Sequence, residues 1–267
     1  MRSSIADYQV IAAVTGPGTS VHYLCRPPER LDYDADEVLV SEVAVDPSGW
    51  QRLTELLAGF ASTGSNHLLS VLEVGPDPES AGSGVYVATE SVPRGWLSDA
   101  RSSLSGADRM QAVADAARGV HALHERGLAH GAITDRAVAL AERGGLLSPP
   151  PLDLPPGALT RMADWRDVVT LDPNLLAGEE SSRASDIWSL GATLHLALSE
   201  RSLYPGIEAD APVTAVQRLL FTRPEVDPDL PSEVADVIRT CLQPDAGVRP
   251  ATAGEVADRL QAAALTP

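Results

Sequence analysis

The chain has 267 residues, a formal charge of −17 and a sequence pI near 4.6, with 44% hydrophobic but only 4% aromatic residues. Such a field repels phosphate backbones and anionic lipid, which argues against nucleic acid or a membrane surface as partner and for proteins with basic or polar faces. All 20 basic residues are Arg and none is Lys, so any chemistry that needs a compact ammonium on a flexible stem is excluded.

Residues 8–14, 21–25, 38–45, 69–74 and 85–89 are short runs rich in Val, Leu and Tyr, separated by Gly, Pro or Asp clusters, and are predicted as strands. One helix interrupts them after Ser48-Gly49-Trp50, where Leu53, Leu56, Leu57 and Phe60 fall on one face. A hinge is expected near residues 92–96. Beyond it the pattern turns helical. Residues 107–126 predict an amphipathic helix that stops at Gly127, and residues 186–198 are apolar nearly all round, as a buried central helix would be. Residues 232–242 and 252–263 predict two further amphipathic helices, with Ser232 and Thr252 placed to cap them. Between these lies 144–178, which carries SPPPLDLPPG and little periodicity. Its prolines forbid helix and discourage a central strand, so a long irregular connection is expected.

The expected fold class is therefore α+β, with a β-rich lobe over residues 1–93 and an α-helical lobe over 94–267. The apolar run 187–198 is too short to span a bilayer, and the opening stretch MRSSIADYQVIAAV lacks the apolar core of a signal peptide. Cys25 and Cys241 have no metal-type spacing, and the expectation is a reduced, cytoplasmic chain in which both are small buried apolar residues.

Several segments carry a specific resemblance. GVHALHERGLAHGAITDRAVAL (119–140) is similar to the helix and catalytic loop of bacterial Hanks-type serine/threonine protein kinases. ASDIWSLGATLHLALSE (184–200) resembles their central helix, matching at Asp186, Trp188, Ser189 and Gly191, and CLQPDAGVRPATAGEVADRL (241–260) resembles the end of that lobe. DPNLLAGE (172–179) stands where their Ala-Pro-Glu segment belongs. VYVATESVPRGWL (85–97) reads like their hinge, with Thr89 as gatekeeper and Glu90 to Val92 as linker.

That resemblance implies a two-lobed kinase-like fold and a set of groups for phosphoryl transfer, most of which this chain lacks. The strand lysine position is Ser41. Glu55 is the expected surviving helix glutamate, left without a partner. The catalytic loop has Ala132 for the aspartate that would accept a proton, Thr134 for the lysine and Ala137 for the metal-binding asparagine. The metal-site aspartate falls among Pro149 to Pro151, and Asp153 is the nearest acidic candidate. Gly16-Pro17-Gly18 keeps two glycines of the phosphate loop, a pattern that a plain hairpin turn meets better. Gly16, Gly18, Thr89, Glu90 and Val92 are thus the candidate nucleotide-cleft residues.

The retained residues imply structural roles. Asp186 anchors the catalytic-loop backbone in the family, and His130 supports the loop. Arg249 has Asn174 at its usual partner position, so either Glu179 or Glu180 takes over or the pair is lost. His121 and His124, three apart on one helix, have no matched acid or Cys cluster for a metal. Ser103, Ser105, Thr160, Thr170, Ser181 and Ser182 are candidate sites for an upstream kinase.

The expected function is that of a catalytically inactive pseudokinase, a signalling scaffold or allosteric regulator without cofactor. Its partners would be proteins of the phosphopeptide-reading or enzyme kind, docking on the proline segment or the cleft between lobes. Two alternatives stand beside it. One is a metal-independent purine sensor using the hinge. The other is an atypical kinase-fold transferase with Glu55, Asp153 or Asp164 holding metal.

Overall fold

The computed structural model describes residues 2–18, 20–44, 49–77, 84–150, 165–207 and 212–264. Its first part is a six-stranded antiparallel sheet of β1 (Ser4–Ile5), β2 (Tyr8–Val14), β3 (Val21–Arg26), β4 (Val38–Ala44), β5 (Val71–Pro76) and β6 (Gly84–Glu90), in the order β1-β2-β3-β4-β6-β5. Alternating side chains divide two clusters between its faces. Tyr8, Cys25, Val38, Val40 and Ala88 lie on one, while Val43, Val85 and Val87 meet Leu53 and Leu57 of α1 (Gly49–Ser62) on the other.

The second part is helical: α2 (Leu97–Ala100), α3 (Gly106–Glu125), a hairpin of β7 (Val138–Ala141) and β8 (Gly144–Leu147), then α4 (Trp165–Val168), α5 (Pro173–Leu176), α6 (Arg183–Leu198), α7 (Pro212–Leu219), α8 (Ser232–Cys241) and α9 (Ala253–Ala264). The architecture is α+β, a sheet lobe followed by a helical lobe. Helix α6 runs through the second core, with Ile187, Trp188, Leu190, Ala192, Leu194 and Ala197 buried. Gly191 is needed there, because a Cβ would stand 2.4 Å from the Cβ of Cys241 on α8.

Two expectations change. The segment after residue 143 is not wholly irregular. It opens with β8, because the prolines begin only at Pro149 and Gly144, at φ 118°, turns the hairpin, and it includes α4 and α5 beyond Pro156, with Pro173 at the start of α5 where proline is tolerated. Ser232 does not cap α8: Pro231 holds that position, and the Ser232 hydroxyl donates to Glu233 instead. Thr252 does cap α9, accepting from the Glu255 N–H at 3.1 Å. Helix α7 had no sequence forecast.

The lobes are joined by more than the chain. Backbone bonds of 2.9 Å run from Leu69 N–H to the Leu147 carbonyl and from Leu147 N–H to that of His67. Both cysteines are free and buried, and burial pushes each thiol up to about 12. Among the described residues no helix is long and apolar enough to cross a membrane.

Candidate functional site

The loop from His130 to Ala137 is hung on one buried carboxylate. Asp186, in the first turn of α6, accepts from His130 N–H (2.8 Å) and His124 Nε2 (2.9 Å) on one oxygen and from Gly131 N–H (2.7 Å) on the other. His130 is buried. Its Nδ1 accepts from Ala132 N–H at 3.3 Å and its Nε2 donates to the Ser148 carbonyl at 2.9 Å, which together select the neutral ring. Burial holds its pKa below the ordinary histidine value. Gly131 adopts φ 78°, and a Cβ there would stand 2.9 Å from the Cβ of Ser181. The position therefore admits no longer side chain in this conformation. Ala132 and Ala137 are buried methyl groups, and the Thr134 hydroxyl accepts from Arg136 N–H at 3.1 Å.

Ser41 faces the cleft from β4, directly opposite His22 of β3. The two side chains meet, with Nδ1 of His22 lying 2.8 Å from the Ser41 hydroxyl and Nε2 donating to the Pro17 carbonyl at 2.9 Å. The ring lies so close over Gly16 that a Cβ there would be 2.4 Å from it. Leu39, Leu69, Trp96, Ala139 and Leu146 form a packed cluster beneath, while Ser148, Pro149 and Pro150 make the facing wall. Some 40 Å³ of cavity remains, room for about three waters.

The loop between β2 and β3 is also tied down to the helical lobe. The Thr15 hydroxyl donates to Asp99 (2.7 Å), the Trp96 indole to the Thr15 carbonyl (2.8 Å) and Arg136 to the Gly16 carbonyl (3.2 Å). Gly18 turns that loop at φ 71°. Among the described residues, the cleft expected as a docking surface is bridged at this loop. None of Thr15, His22, Trp96 or Arg136 was singled out by motif. Each acts through a partner remote in sequence.

The polar groups of the residues expected at the hinge are engaged in structural tasks. Thr89 is buried on the cleft wall, and Val92 packs on the cluster around Leu39. Glu90 takes Arg143 in a two-pronged ion pair (2.8 and 2.5 Å) and accepts from Ser70 N–H at 2.7 Å. Burial acts to raise the Glu90 pKa, but those bonds outweigh it and hold the carboxyl below its ordinary range.

Glu55 does not reach the cleft. It is exposed and accepts from Gln51 at 2.8 Å, so it does have a partner. Leu53 and Leu57 take the inner face of α1, and a residue two positions from each lies about 200° round the helix. The partner of Arg249 is neither Glu179 nor Glu180, which are both exposed. Its guanidinium bonds the Asp172 carboxylate, the Ala184 carbonyl (2.7 Å) and the Gln243 carbonyl (2.8 Å), and sits 5.0 Å over the Trp188 ring. Asp172 is the N-cap of α5, which fixes its carboxylate toward the arginine.

Asp153, Asp164 and Thr160 lie outside the described residues. Of the other hydroxyl candidates, Ser105 and Ser182 cap α3 and α6, and Ser103 donates to the Ala100 carbonyl. Thr170 is fully buried, donating to the Asp167 carbonyl, so a kinase would not reach it; Ser181 is exposed. His124 is committed to Asp186.

No protein-family model matches the chain, and no curated protein does. Solved structures do match. The kinase domain of Mycobacterium tuberculosis PknI aligns at 18% identity with a TM-score of 0.71, covering 98% of each chain. A cysteine-to-alanine mutant of that same domain aligns at 17% identity with a TM-score of 0.73, again over 98% of each. Identity this low speaks for the fold alone, and the fold is that of a protein-kinase domain.

Proposed function

We propose that this chain is a pseudokinase, a kinase-fold domain without phosphotransfer that acts in signalling as a protein-binding scaffold or allosteric regulator. The observation that carries the reading is the His22–Ser41 contact at the strand-lysine position, in a cleft with about 40 Å³ left. Pockets for drug-sized ligands usually offer about 300–1,000 Å³.

The fold implies magnesium and ATP, and these residues do not fit them. Ser41 brings no cation to the phosphates, and its hydroxyl is engaged by an imidazole. Ala137 and Pro149 offer no oxygen ligand from their side chains. Ala132 accepts no proton from a substrate hydroxyl. What the chain retains, Asp186 on the loop backbone and Arg249 on Asp172, maintains the fold. A charge of −17 favours partners that present basic or polar faces, in a cytoplasmic setting.

The test is thermal stability of the whole chain against ATP, ADP and adenosine, each with and without magnesium or manganese. A ligand at a hundred times its Kd stabilises by about 2.7 kcal/mol, a readily seen melting shift. No shift is expected with any of them. A metal-dependent ATP shift would overturn the reading in favour of an enzyme, and an adenosine shift without metal would replace it with a purine sensor.

A further inference from the structure

A second cavity lies on the helical lobe, away from the cleft residues described above. It is an open depression of about 360 Å³ lined by Ser98, Arg101, Ser102, Leu104, Arg109 and Glu200. These come from α2, the linker that follows it, the first turn of α3 and the residue beyond the C-cap of α6. In a chain with 37 acidic and 20 basic residues, two guanidiniums and two hydroxyls on one depression, against one carboxylate, are a local reversal of charge.

Both arginines have a plain structural task. Arg109 donates to the Ala197 carbonyl at 2.8 Å, and Arg101 to the Ser199 carbonyl, satisfying the end of α6. That task leaves donors over. Arg101 Nε is buried and has no hydrogen-bond partner among the described residues, a condition that costs free energy unless an acceptor arrives. Ser102 is exposed at the rim.

One anion already occupies part of this surface. Glu200 accepts from Arg101 Nη2 at 2.8 Å while its side chain remains 89% exposed. A carboxylate so exposed is weakly held and free to swing out. Asp99 and Asp108, beside lining residues in sequence, are bonded to Thr15 and Ser105, and Asp227 accepts from the Ser199 hydroxyl and pairs with Arg201.

We infer that this depression is a binding site for a phosphate monoester dianion, which displaces Glu200 from Arg101 and bridges Arg101, Arg109 and Ser102. Two charges and three acceptor oxygens suit two guanidiniums and a hydroxyl better than the single carboxylate now there. The dianion has two sources, a small soluble phosphate or a phosphorylated side chain of a protein.

The test is NMR of the arginine Nε–Hε groups in the whole chain, titrated with phenyl phosphate, inorganic phosphate and a phosphoserine peptide. Acetate at matched ionic strength is the control. Saturable shifts of Arg101 and Arg109 with the phosphates, absent with acetate, are expected. A tighter fit for the peptide would assign the source to protein, and equal fits to free phosphate. Substituting either arginine would disturb the end of α6, so the decisive variants are Glu200→Gln and Ser102→Ala. The first should tighten binding about two- to fivefold, as loss of an exposed competing charge predicts, and the second should weaken it. Shifts that never saturate, that acetate reproduces, or that Glu200→Gln leaves unchanged would overturn the assignment.

Discussion

The imidazole of His22 and the hydroxyl of Ser41 meet at 2.8 Å across β3 and β4, because the strand register sets the two residues opposite each other. Ser41 is where the family resemblance expects a lysine. The same ring donates to the Pro17 carbonyl and rests on Gly16, so one side chain ties the strand, the β2–β3 loop and the cleft wall together.

Ser41→Lys is therefore expected to fail as a repair. The ammonium would enter a site closed by His22, without the partner that Glu55 cannot supply from the outer face of α1. Urea unfolding should show a loss of about 3 kcal/mol, as for an uncompensated buried charge, and magnesium ATP should give no melting shift. ATP-dependent stabilisation of this variant would contradict the account.

Asp172 and Glu179 should respond unequally to neutralisation. Asp172→Asn leaves the buried Arg249 guanidinium without its carboxylate, at a cost of about 3–5 kcal/mol. Glu179→Gln changes an exposed residue and should stay within about 0.5 kcal/mol. Chemical denaturation of the two variants side by side decides it; equal effects would mean that Arg249 is paired otherwise.

Gly131→Ala is expected to destabilise by about 1–2 kcal/mol from its left-handed backbone alone. The contact with Ser181 adds to that. Adding Ser181→Gly should recover the contact part and leave the backbone part. Full recovery would show that the backbone relaxes freely there.

Stability should fall as the medium becomes mildly acidic. Burial pushes the pKa of His195 down to about 4, and its Nε2 accepts from Asp227 N–H at 3.2 Å. Above about pH 6.5 the ring is neutral in both folded and unfolded chains. Between that value and about 4, only the unfolded chain takes up the proton, so stability declines with a slope of at most about 1.4 kcal/mol per pH unit. His130, also held low by burial, acts in the same direction. Asp7 and Glu73, held low first by their hydrogen bonds to Arg30, act only below the ordinary carboxylate range. His195→Leu should flatten the slope in urea titrations between pH 7 and 4.5, whatever it does to stability at pH 7. An unchanged slope would reject the assignment.

The residues of the chain by themselves determine the order of sheet lobe and helical lobe, because period-two and helical spacing are local properties. Strand β2 and the long helices α3, α6, α8 and α9 were legible within about one to three residues. The exposure of Glu55 follows from helical spacing, since Leu53 and Leu57 take the inner face of α1. The four-residue strands β7 and β8 and the short helices α4 and α5 were not legible, because so few residues carry no period. Which carboxylate meets Arg249, and what engages Ser41, only the tertiary structure decided. Asp172, Glu179 and Glu180 are chemically alike, and His22 is one strand residue among several. The choice among them rests on register, on a helix cap and on burial, which act between segments far apart in the chain.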